Sequence, residues 1–207
     1  MSQPDEMSVI AAEFRRHFDQ YYLGVIPRLL NEEVVMLAFI CLLTGIECLA
    51  GAFQPQNSNG DRFKEFITTF FSAPYHPIAG EMWQFRNLMI HAFNPSPFTI
   101  GCHQSRMHLL EIGDVRYLNV EDLYAEMVTA SRGYFTALYA DLQLQANFSK
   151  RVTEKCGGRI VPIAFTESTS PNGPAVYQPF ERTPPRYSRV RYVSHVNRCF
   201  RVSILSI

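Results

Sequence analysis

No two cysteines of this chain stand at CxxC spacing, and their number, five, is odd. A disulfide framework and a zinc site of the usual spacings are therefore not suggested, and a reducing compartment is the simplest setting. Cys41 and Cys48 lie in an apolar run, where cysteine usually serves as a small hydrophobe. Residues 1–13 are acidic and polar and lack the basic start and apolar stretch of a signal peptide, so a cytoplasmic location is expected. Cys156-Gly157-Gly158-Arg159 lacks the Gly/Lys spacing of a phosphate-cradling loop. No internal repeat is found. Net charge is absent too, at zero over 207 residues. That zero hides an asymmetry. Residues 1–147 hold 9 Lys+Arg against 16 Asp+Glu, a net of −7, whereas residues 148–207 hold 10 against 3, a net of +7. Such a contrast often marks a tail that meets a polyanion or its own acidic domain.

What is present is apolar material, 47 % of the chain, arranged for helices. Ile10, Phe14, Phe18, Tyr21, Tyr22 and Val25 follow a helical period, which predicts a first helix from about 5 to 23, ended or kinked by Gly24 and Pro27. Asn31 with Glu32 and Glu33 suits the start of a second helix reaching about Ala52. Val34 to Phe53 is long and apolar enough to cross a bilayer. Glu47 inside it would cost about 2.5–3.5 kcal/mol at depth, and its flanks carry no Lys or Arg, so a buried core helix is the preferred reading and no membrane partner is expected. Asp61 can cap a short helix with the stripe Phe63, Phe66, Ile67 and Phe70. Pro77 suits the first position of the next helix, to about Phe93. Around Gly101 the pattern loosens to alternation, a candidate β-hairpin. Asn119 can cap a long last helix with Leu123, Met127, Phe135 and Leu138 on one face, ending near Leu144. The expectation is a mainly α, up-and-down bundle of four to five helices with a small β-hairpin insertion over residues 1–147. A basic Pro/Ser/Arg-rich segment follows over 148–207, too poor in periodic apolar residues to offset its ordering entropy.

The helix from 78 to 93 has a distinctive wheel. At 100° per residue, Ile78, Met82, Phe85 and Met89 fall within about 60° of one another and should face the core. Gly80, Gln84, Asn87 and His91 fall within about 60° on the opposite side. Arg86 lies about 140° from His91, so the two are not neighbours on one helix, while Asn87 and His91 are. A site using all three must draw the Arg round the helix, distort the helix end, or combine two copies across a dimer. The plain alternative is that the Arg is solvated and the His is favoured by the helix dipole.

Arg86-Asn87 followed by His91 resembles the R-x4–6-H motif of the HEPN superfamily, in which a polar residue commonly follows the Arg. The setting is similar as well: a helical bundle of this size, the motif towards the end of a late helix, and a long helix after it. Residues 63–108 resemble a group of bacterial HEPN-related proteins of uncharacterised function, and the resemblance spans about residues 5–147. It implies metal-independent RNA cleavage in a homodimer through a 2′,3′-cyclic phosphate, without a cofactor. Arg86 would stabilise the transition state, His91 would act as acid or base, and Asn87 would position them. The alternative it admits is a non-catalytic dimerisation module recognising RNA, a nucleotide or an antitoxin-like protein partner.

Supporting positions follow from the same reading. Glu47 in an apolar helix needs a partner or a proton. Arg86 or His91 could provide it, or Glu47 could reach the surface. Gln84 shares the polar stripe. His103, Arg106 and His108 form a loop open to three readings: phosphate contact, a metal set with Cys102, or an ordinary hairpin. In the tail, Arg186, Arg189 and Arg191 interleave with Tyr187 and Tyr192, a pattern that can contact RNA by phosphate attraction and base stacking. An extension without a selected role is the alternative.

Overall fold

The computed structural model describes residues 6–156. In chain order it comprises α1 (Glu6–Phe18), a π-helical turn (Asp19–Leu23), α2 (Ile26–Asn31), α3 (Val35–Phe53), α4 (Asn59–Phe70), a 3-10 segment (Ala73–Ile78), α5 (Ala79–Ala92), β1 (Phe98–Gly101), β2 (Glu111–Ile112), β3 (Val115–Asn119), α6 (Val120–Ala140) and α7 (Leu142–Cys156). The protein is mainly α with a small sheet.

Helix α3 is the centre of the bundle. Phe39, Leu43, Ile46 and Leu49 are fully buried, and α2, α4, α5, α6 and α7 all pack on it. It is the one helix among the described residues long and apolar enough to cross a membrane. Its cover of five helices is the surrounding of a core helix. Aromatic edges tie the layers together: Phe39 to Phe85 at 5.5 Å, Phe66 to Tyr134 at 6.0 Å and Phe14 to Phe148 at 5.2 Å between centroids. Each fully buried Phe contributes about 1.5–3 kcal/mol, with the aromatic geometry adding to it.

Several boundaries depart from the sequence reading for local reasons. The first helix loosens into a π turn at Asp19, closed by the Gly24 N–H on the Asp19 carbonyl at 2.7 Å. Asn31, Glu32 and Glu33 close α2 rather than open α3. Glu33 takes a left-handed φ of 56°, and the Val34 N–H reaches the Leu29 carbonyl at 2.9 Å, a Schellman ending. Ser58, not Asp61, caps α4, accepting the Asp61 N–H at 3.3 Å. Pro77 lies inside the 3-10 segment, one turn ahead of α5. Around Gly101, where a hairpin was expected, β1 instead pairs parallel to β3, and the antiparallel hairpin, β2–β3, lies further along the chain in the same three-stranded sheet.

The expected last helix is two. Asp141 breaks it and caps α7, its Oδ1 accepting the N–H groups of Gln143 at 2.7 Å and Leu144 at 3.2 Å. Helix α7 then continues to Cys156 with Phe148 and Val152 in the core. The boundary drawn at 147 therefore falls inside a packed helix. The rest of the basic segment lies outside the described residues.

Candidate functional site on helix α5

Helix α5 keeps the two faces that its sequence spells out. Met82, Phe85 and Met89 are fully buried, with Phe85 edge-on to Phe98 of β1 at 5.2 Å. Gly80, Gln84 and His91 are exposed and Asn87 is half-buried. The helix ends at Phe93, a left-handed residue (φ 49°, ψ 34°), with the Asn94 N–H on the Leu88 carbonyl at 3.2 Å. Glycine usually occupies that position, because a Cβ there crowds the carbonyl. Phe93 is nonetheless 66 % exposed.

Arg86 reaches from the edge of this polar face to α3. Its Nη2 forms an ion pair with the Glu47 carboxylate of α3, both side chains being less than one-fifth exposed. Its Nη1 donates to Asn87 Oδ1 at 3.1 Å, and its guanidinium lies 5.5 Å from the Trp83 ring centroid. Arg86 Nε is buried and unpartnered. The partner of Glu47, open in the sequence, is thus Arg86. Glu47 needs its cation in this apolar helix, and the cation is held in return. Asn87 faces Arg86 through its oxygen, leaving its N–H groups for other partners. His91 is exposed and its side chain makes no hydrogen bond or ion pair among the described residues. Within one chain, then, Arg86 and His91 occupy different sides of α5, as the wheel required.

The 102–108 loop is bound to the start of α6. The His103 N–H and Nδ1 both meet Glu121 Oε1, at 3.0 and 2.8 Å, and Ser105 donates to Asp122 at 2.6 Å. The Gln104 N–H reaches Asn119 Oδ1 at 3.0 Å. His108 is engaged on both nitrogens: Nδ1 accepts the Asn119 N–H at 3.0 Å and Nε2 lies 2.7 Å from the Tyr75 hydroxyl. Burial holds its pKa below the ordinary value, against the pull of Asp122 and Glu126. Of the three loop residues assigned to RNA contact, His108 is therefore a structural tie and His103 is paired. Arg106 is exposed. Among the described residues no group of three or more His, Cys, Asp or Glu is placed to hold a metal ion. Arg186, Arg189 and Arg191 lie outside the described residues.

Sequence reading passed over Arg62, Arg151 and Trp83. Arg62 stands one turn before Phe66, on the apolar stripe of α4, a position that forecasts burial. Arg151 follows Phe148 by three in a helix expected to have ended.

Compared with known protein families, curated proteins and solved structures, the chain matches none.

Proposed function

We propose that the domain is a HEPN-like helical module, dimeric and cytoplasmic, that recognises RNA through the polar stripe of Gln84, Asn87 and His91 without cleaving it. The observation that carries this reading is the commitment of Arg86 to Glu47. A guanidinium neutralised by a carboxylate and pointed at α3 is not free to stabilise a phosphorane beside His91. The stripe itself offers two carboxamides and an imidazole, donors and acceptors suited to base edges and phosphate oxygens. Phe93, two residues past His91 and open to solvent, can stack a base. The basic composition of residues 148–207 favours a polyanion.

Metal-independent endoribonuclease action is the second reading. Its support is His91, exposed at the helix end with no partner among the described residues, where an imidazole can exchange protons with a ribose hydroxyl. A dimer would have to bring one copy's Arg86, released from Glu47, to the other's His91. The two readings part in one experiment: mixed RNA with full-length protein in EDTA, followed by binding and by end analysis. Retention of RNA lost in His91→Ala, with no new 2′,3′-cyclic ends, supports the module. Cyclic ends from wild type alone support the nuclease.

A further inference from the structure

Three arginines gather beside Glu47 and Gly51 of α3. Glu47 and Gly51 are one turn apart and share a face of that helix. Arg86 of α5 pairs with Glu47. The guanidinium of Arg151, from α7, lies where a side chain at Gly51 would be, with Nη2 only 2.9 Å and Cζ 3.1 Å from the place of its Cβ. Arg62 of α4 lies within electrostatic reach of both Glu47 and Arg151. It is 6 % exposed, its Nε is buried without a partner, and its side chain makes no hydrogen bond or ion pair among the described residues.

A guanidinium cannot shed its proton at ordinary pH, so burying one without a counterion is costly. Glu47 neutralises Arg86, and among the described residues two positive charges remain, on Arg62 and Arg151. We propose that Arg62 and Arg151, beside the Glu47–Arg86 pair, form a seat for a dianionic phosphate group that enters past the half-exposed Arg151. Two planar forks match the oxygens of one phosphate, and two cations match its charge. Gly51 is part of the seat because a Cβ there would occupy the place of the Arg151 guanidinium and make it shift. The seat does not depend on the RNA reading, and it uses none of Gln84, Asn87 and His91.

The test is thermal unfolding of the full chain in sodium phosphate against sodium chloride at matched ionic strength and pH. A phosphate-specific rise in Tm of roughly 3–6 °C is expected at tenfold excess over Kd. Arg151→Gln should abolish the rise and Gly51→Ala, which makes the guanidinium shift, should lessen it, whereas His91→Ala should keep it. Arg62→Met should abolish it as well while raising Tm in chloride, since it removes an uncompensated buried charge. Should Arg62→Met fail to fold, Arg151→Gln still decides. No rise beyond chloride, or a rise that survives Arg151→Gln, overturns the seat. Competition by 5′-phosphorylated but not 5′-hydroxyl RNA would trace the phosphate to an RNA end. Competition by neither would leave the seat to free phosphate or a small phosphomonoester. Both results keep the seat and name its source.

Discussion

Glu47 and Arg86 each make the other tolerable in a largely apolar setting, so removing either partner leaves a charge or a polar group stranded. The pair is less than one-fifth exposed, between the surface limit of about 0–1 kcal/mol and the buried limit of about 3–5 kcal/mol. Glu47→Gln should therefore destabilise the fold by about 1–3 kcal/mol in chemical denaturation. A double variant, Glu47→Leu with Arg86→Met, should recover most of that loss. Additive single effects would show that the contact does not hold α3 to α5. His108 gives a pH signature of known sign. Its folded pKa is below the ordinary value, so its contribution is fully present above about pH 6.5 and is lost as pH falls through the depressed folded pKa. Protonation of Nδ1 also breaks the bond from Asn119. The urea midpoint should fall between pH 7 and pH 5, and His108→Gln should flatten that slope. An unchanged slope would remove His108 as its source.

At the scale of elements, the end of α5 and the length of α7 carry the account. A bulky residue held left-handed costs about 1–2 kcal/mol relative to Gly, and Phe93 recovers little by burial because it is mostly exposed. Phe93→Gly should raise stability by about 1 kcal/mol while weakening RNA retention. Loss of stability instead would mean that Phe93 is a packing residue. Helix α7 places Phe148 and Val152 in the core, and losing a buried Phe alone costs about 3–5 kcal/mol. A chain cut after Asn147 should unfold or aggregate, whereas one cut after Cys156 should keep its circular dichroism and cooperative melt. The elements most legible in the sequence were those with one buried face, α4 and α5, because a 3.6-residue stripe names its own core side. The central place of α3 was legible from apolar residues on nearly every side. Less legible were points where a polar residue can serve two ends. Asn31 to Glu33 suit a helix start yet close α2, and the period runs through Asp141 although its carboxylate breaks the helix and caps the next.

For the whole molecule, the site was legible in part. A wheel separated Arg86 from His91 correctly, because that depends on one helix. Which helix Arg86 reaches depends on how α3 and α5 abut, so Arg86 and His91 both remained candidate partners for Glu47. Arg62 and Arg151 come from α4 and α7, over 80 residues apart in the chain, and no local pattern joins them. The charge contrast between residues 1–147 and 148–207 (−7 against +7) is the feature that most favours a polyanionic partner. The measurement closest to the central claim is anisotropy of labelled RNA with wild type, His91→Ala and Gln84→Ala in EDTA, with product ends analysed in the same samples. Salt-dependent binding weakened by both substitutions, with intact RNA throughout, is the expected result. Binding unaffected by either substitution, or 2′,3′-cyclic ends made by wild type and not by His91→Ala, would contradict it.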